Sequence, residues 1–185
     1  MILLIGFSDK TDIPPIIDNE LIQLLTKAIE WKDSVFSVSE TINGLLGGTI
    51  TLDKFYLSDN VQVVTISATL VIPPLAFEGT KTITLTLDSS YAAFHFSPSM
   101  TFDMPVRLTQ SFSGLDLTNF STGTIDFVYI SDEGLVEILR KNGVQVVLPQ
   151  GLVRVLNVRL SHFSRYGWAR VPQIRHGPET CFTTE

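Results

Sequence analysis

Val71-Ile72-Pro73-Pro74-Leu75-Ala76, Thr82-Ile83-Thr84-Leu85-Thr86-Leu87, Phe96-Ser97-Pro98 and Phe102-Asp103-Met104-Pro105-Val106-Arg107-Leu108 decide the fold. Apolar and hydroxyl residues alternate in short runs, and prolines fall between runs or at their margins. A period of two puts one face on a core and the other in solvent, which is half-buried antiparallel sheet. Working outward, Ile50 and Leu52 alternate with threonines. Val64, Ile66, Ala68, Leu70 and Ile72 form an apolar face opposite Thr65, Ser67 and Thr69. Further strands are expected near Ala92–Phe96, Met104–Thr109, Gly123–Ile130, Leu156–Ser161 and Ser164–Val171. Val153 and Val155 stand in the opposite parity to Leu156, which predicts a β-bulge or bend near there. Asn142-Gly143 carries the strongest hairpin signal, because both central positions of a type I′ turn need positive φ. It is expected to join a strand near Leu135–Arg140 to one near Val144–Leu148. Eight or nine short strands make a mainly β chain, an antiparallel two-sheet sandwich of the immunoglobulin-like kind.

The region before the strands reads differently. Residues 1–17 form an extended arm, since Pro14-Pro15 excludes a helix there. Asp18 is a good N-cap for one amphipathic helix from about Asn19 to Lys32, with Leu21, Leu24, Leu25, Ala28 and Ile29 on one stripe. The expected organisation is an arm and helix over 1–46, the sandwich over 47–171 and a tail over 172–185.

Composition bounds the function. In 185 residues the apolar share is 44% and the charged share 17%, ample for a core and unlike a disordered chain. The net charge of −6 disfavours a general nucleic-acid binder. Seven basic residues (Arg140, Lys141, Arg154, Arg159, Arg165, Arg170 and Arg175) nonetheless occur from 140 to 175 without an acid between them. They are either scattered over outer strand faces or form a patch that meets an acidic surface, such as that of a neighbouring copy. The single cysteine, Cys181, excludes an intramolecular disulfide. The opening Met1–Gly6 run lacks a basic flank and is too short for a signal peptide. No run approaches the ~20 apolar residues of a transmembrane helix. A cytoplasmic or particle-assembled (virion) location is expected, with no membrane insertion.

The order of these elements resembles the ZU-five domain, the module of netrin receptors, ankyrins and function-to-find domains. The likeness runs from Gly47-Gly48 through Ile72-Pro73-Pro74-Leu75-Ala76, Thr82-Ile83-Thr84-Leu85, Phe96-Ser97-Pro98 and Phe102–Leu108 to His162-Phe163-Ser164-Arg165-Tyr166, covering about 47–168. Leu75 stands where that pattern usually has glycine. The resemblance implies a sandwich that serves as an interaction surface. It also implies one chemical alternative, because function-to-find relatives cleave themselves between the Phe and Ser of this tripeptide. Ser164 would then attack the carbonyl of Phe163 while His162 takes its proton, releasing a 22-residue fragment. Residues i and i+2 of a strand share a face, so the two side chains could meet there. The same placement suits two polar residues flanking a buried Phe163, and His95-Phe96-Ser97 repeats the tripeptide elsewhere.

Other chemistry has weaker footing. His95, His162 and His176 lack zinc spacing with each other or with Cys181, and no phosphate loop or nucleophile elbow is visible. No cofactor or metal is expected. The leading expectation is a non-enzymatic structural or assembly protein that binds protein partners, copies of itself above all. A decoration or accessory component of a phage or virus particle is one form of that. Ile2, Leu4, Ile5, Leu21, Leu25, Arg154, Arg159 and Arg165 are the expected contact residues. An adhesion or scaffold module is a further alternative.

Overall fold

The computed structural model describes residues 21–23, 36–88, 90–132, 136–139, 141 and 143–171. The eleven strands within them are β1 (Ser37–Asn43), β2 (Gly48–Leu57), β3 (Val63–Ile72), β4 (Thr80–Leu87), β5 (Ala93–Ser97), β6 (Thr101–Ser113), β7 (Ile125–Ile130), β8 (Val136–Ile138), β9 (Val144–Val147), β10 (Leu152–His162) and β11 (Arg165–Arg170). They form two antiparallel sheets, ordered β1-β4-β5-β11-β7-β8 and β2-β3-β6-β10-β9. The sheets pack as a sandwich around a main core. A smaller buried cluster of Leu21, Ala93, Val128, Ile130, Ala169 and Val171 lies apart from it, so β7 and β11 are apolar on both sides.

The alternation read from the sequence is the alternation buried. Val64, Ile66, Ala68, Leu70 and Ile72 face inward from β3, and Ile83, Leu85 and Leu87 from β4. Beside β3 in the five-stranded sheet, Ile50, Leu52 and Tyr56 face inward from β2, and Val106, Leu108 and Phe112 from β6. The predicted bulge is present. Val155 pairs with Gln110 and Val158 with Leu108, so β10 carries one extra residue there. Asn157 takes a φ of 51°, and its N–H donates to Thr109 Oγ1 at 3.2 Å. The bulge turns Leu156 outward with Asn157. A second irregularity lies between Leu160↔Val106 and His162↔Thr101. The surplus on β6 holds Pro105, a residue that cannot donate to a ladder.

Three expectations are corrected. Leu21–Gln23 is extended rather than helical, because the backbone there fills a gap in the six-stranded sheet. Ile22 N–H donates to Trp168 O at 2.9 Å, and Ile22 O accepts from Ala92 N at 2.8 Å. Leu21 and Gln23 bridge Ala169 and Tyr91. The other residues of the expected arm and helix lie outside the described residues, as do Leu24, Leu25, Trp31 and the tail. Second, Ser37–Asn43 forms β1 and pairs along its whole length with β4, so the sandwich includes part of the segment assigned to 1–46. Third, β8 and β9 are not a hairpin. β8 pairs with β7 in one sheet and β9 with β10 in the other, so the turn region at Gly143 carries the chain between layers. Asn142 lies outside the described residues.

Gly47 marks the entry to β2. Its φ is 72°, and an added Cβ would stand 2.4 Å from Ile72 O, so both backbone conformation and space require glycine.

Candidate functional site

Two places concentrate side chains capable of function: the corner after β10 and the outer face of the five-stranded sheet. At the corner, β10 ends at His162 in one sheet and β11 begins at Arg165 in the other. Phe163 and Ser164 are therefore the whole crossing between layers. The crossing is anchored on both sides: Phe163 N–H donates to Met100 O at 2.7 Å, and Ser164 O accepts from Phe96 N at 3.0 Å. Phe163 is buried in an aromatic cluster, stacked on Phe96 at 5.3 Å and edge-on to Phe102 at 4.6 Å. Apolar burial of this size fixes where the corner sits.

Because the strand breaks between them, His162 and Ser164 do not share a face. The His162 ring packs edge-on against Tyr129 and Tyr166. Its Nδ1 lies 3.5 Å from Ser161 Oγ and 3.4 Å from Tyr166 Oη, while Tyr166 Oη donates to the His162 carbonyl at 2.9 Å. Among the described residues it makes no hydrogen bond to Ser164. Ser164 instead lines an open cleft of about 280 Å³ with His95, Asp132 and Arg165. Asp88 organises the adjoining wall. Its Oδ2 meets Arg165 Nη2 at 2.9 Å and His95 Nε2 at 3.3 Å, and its Oδ1 accepts from the N–H groups of Ser90 and Tyr91. The Arg165 guanidinium also lies over the Tyr91 ring, 5.3 Å from its centroid. Arg165 is thus engaged within its own chain. Burial also raises the Tyr166 hydroxyl above its ordinary pKa, with the nearby Tyr129 adding to the effect.

The basic residues of the C-terminal third separate. Lys141 is nearly buried, paired with Asp126 and donating to Phe127 O and Leu139 O. Arg170 donates to Asn119 O and covers the Phe120 ring. Arg140 and Arg175 lie outside the described residues. Arg154 and Arg159 remain, both exposed on β10. Register brings them an unexpected companion, Arg107 of β6, which stands directly opposite Arg159. On the same outer face β2 and β3 contribute Thr51, Thr69, Thr65 and Ser67, then the exposed apolar residues Phe55, Leu57 and Val63.

Those apolar residues lead to the β2–β3 loop. Leu57 and Val63 are the last cross-strand pair, and buried Ser58 closes the loop through Gln62. Val61 at the tip is 75% exposed with a φ of 62°. A β-branched residue in that region is an outlier that costs free energy to hold. Arg107, Phe55 and Val61 were missed by sequence reasoning. Only the outward parity of the strands hinted at the first two.

Of the other expected contact residues, Leu21 is buried in its own sheet at 3% exposure, while Ile2, Leu4, Ile5 and Leu25 lie outside the described residues. Among the described residues, no group of three or more His, Cys, Asp or Glu side chains is arranged to hold a metal ion, and no helix is long and apolar enough to cross a membrane. No protein-family model, curated protein or solved structure matches this chain.

Proposed function

We propose that the chain is a non-enzymatic interaction module that joins copies of itself, or a larger protein assembly, through the end of the β2–β3 hairpin. The observation that carries this reading is the cluster of outward apolar side chains there: Phe55 and Val61 at 75% exposure, Val63 at 56% and Leu57 at 45%. Three of these lie on two adjacent strands, and β2 is the edge of its sheet. Burying such side chains is worth roughly 1.5–3 kcal/mol each. That sum is comparable with the ~4–15 kcal/mol cost of association, so the tip acts as the anchor of a wider contact rather than all of it. The immunoglobulin-like assignment and the ZU-five resemblance belong to the same proposal. Their support is the proline pair that follows β3 and the left-handed backbone at Leu75, φ 65°, where that module usually has glycine. A particle subunit is one form the assembly would take.

The self-cleaving alternative draws support from the position of Ser164 in an open cleft beside His95. Against it stand the separation of His162 from Ser164 and the hydrogen bonds that hold both sides of the corner.

Sedimentation velocity over a concentration series tests the assembly. The expected result is a rise above the 20.5 kDa monomer with concentration. Phe55→Ser combined with Val61→Asn should return it to the monomer while leaving the far-ultraviolet spectrum unchanged. A monomer at every concentration up to about 100 µM would remove the self-association reading.

A further inference from the structure

We propose that Arg107 and Arg159 form a binding site for a phosphate monoester dianion on the outer face of the five-stranded sheet. The two residues are direct cross-strand partners on β6 and β10. Directly opposed residues point to the same side, with Cβ atoms about 5 Å apart, and like charges so placed repel. Both are exposed, and among the described residues neither has an ion-pair partner. Every other described arginine of the basic C-terminal third except Arg154 has a partner inside the chain: Arg165 has Asp88 and Arg170 has Asn119 and Phe120.

The surroundings suit a ligand rather than an internal counterion. β6 is the middle strand of its sheet, so the pair sits near the centre of the face and not on its rim. Continuing across the sheet from Arg107, the next residue is Val71 of β3 and then Thr49 of β2. One residue pair along on this face lie Thr109 and Thr69, small enough to leave the guanidinium groups open to an approaching group. Asp53 on β2 shares the face, in a row with Ser67, Ser111 and Arg154, and exposed Asp103 stands four residues before Arg107 on β6 beyond the irregularity at Pro105. Asp53 is two strands from Arg107 and three from Arg159, and four residues along the sheet from their row. Two planar guanidinium forks on neighbouring strands can each donate two hydrogen bonds to one tetrahedral group. A monoester with about two negative charges matches two arginines in both charge and oxygen number, whereas a carboxylate offers one charge and two oxygens.

Arg154 supplies an internal control. It pairs with Ser111, four residues along β6 from Arg107, which places it roughly 13 Å away on the same face. A general attraction between the basic face and anions would use it as much as the other two. A built site would not.

The test is an amide-shift titration of the full chain with inorganic phosphate, a Gly-Ser peptide carrying one phosphoserine, and glucose 6-phosphate, at fixed ionic strength with acetate as control. Saturable shifts are expected at Val71, Arg107, Leu108, Arg159 and Leu160. Arg107→Gln and Arg159→Gln should each weaken binding at least tenfold, and Arg154→Gln less than twofold. Unchanged shifts elsewhere in the spectra keep loss of binding separate from loss of fold. Tighter binding of the phosphopeptide identifies a phosphorylated protein as the source, and tighter binding of the sugar phosphate identifies a small phosphorylated metabolite. Equal binding of all three leaves the phosphate group as the determinant, as proposed. Unsaturable shifts, equal shifts with acetate, or equal weakening by Arg154→Gln would overturn the site.

Discussion

Phe96 and Phe163, the middle residues of the chain's two His-Phe-Ser tripeptides, stack on each other with ring centroids 5.3 Å apart and planes inclined by 22°. Each is the apolar residue of its tripeptide, and each points into the core while its polar neighbours stay nearer the surface. The recurrence of the tripeptide therefore has a packing cause. Phe163 locks the crossing between sheets, and Phe96 offers the ring on which it rests. Denaturing mass spectrometry should accordingly give one full-length mass, and Ser164→Ala and His162→Ala should not alter it. Phe163→Ala should lower unfolding free energy by about 3–5 kcal/mol, measured by denaturant titration, because it empties a buried aromatic site. Two fragments meeting at Phe163–Ser164 would contradict this account of the corner.

Gln110 is fully buried on the inward face of β6, and among the described residues neither atom of its side-chain amide has a hydrogen-bond partner. An unpaired buried polar group costs about 1–3 kcal/mol. Gln110→Met keeps the length of the side chain and removes the amide. It should raise unfolding free energy by about 1–2 kcal/mol and the thermal midpoint by about 2–8 °C. A fall in stability would mean that the amide is satisfied in solution.

How much of this was legible in the sequence depended on how local the cause was. β3 and β4 were plain because each carries several buried residues at a period of two. The β10 bulge was plain because a change of parity is written in the residues themselves. β1 was not, since of its seven residues Ile42 alone is buried and Val38 half-buried, the pattern of a sheet edge. The helical spacing of Leu21, Leu24 and Leu25 misled at Leu21 because the sheet gap beside Trp168 is a tertiary feature. Asn142-Gly143 misled because the turn chemistry says nothing of which sheet receives the next strand. The Arg107–Arg159 pair was invisible for the same reason: register between strands distant in sequence decides it.

Val61 and Leu75 both hold positive φ, at 62° and 65°, and both are exposed. An L-residue in that region costs about 1–2 kcal/mol, and replacing it by glycine returns part of this against the greater freedom of the unfolded chain. Leu75→Gly and Val61→Gly should each stabilise the fold by up to about 1 kcal/mol, read by thermal melts. Gly47→Ala should do the opposite, because its Cβ would meet the backbone of Ile72 and Pro73. For Val61 the gain in stability should come with weaker self-association, which separates a contact residue from a merely strained one.

Tyr56 and Tyr166 make the fold sensitive to alkali. Burial pushes the Tyr56 hydroxyl up to about 12, and burial together with Tyr129 raises Tyr166 as well. In both cases the folded state favours the neutral phenol. Below about pH 10, the ordinary pKa of tyrosine, folded and unfolded states bind the same protons and nothing is lost. Above it the unfolded chain releases protons that the folded chain retains, so unfolding free energy falls by about 1.4 kcal/mol per pH unit for each tyrosine. For Tyr56 the fall runs from its unfolded pKa to its folded value and then levels off. Denaturant titrations from pH 8 to 12 should show this decline. Tyr56→Phe removes one titrating group, and its unfolding free energy should fall less steeply with pH than that of the parent chain. Identical slopes for the two proteins would show that the Tyr56 hydroxyl titrates alike in the folded and unfolded states.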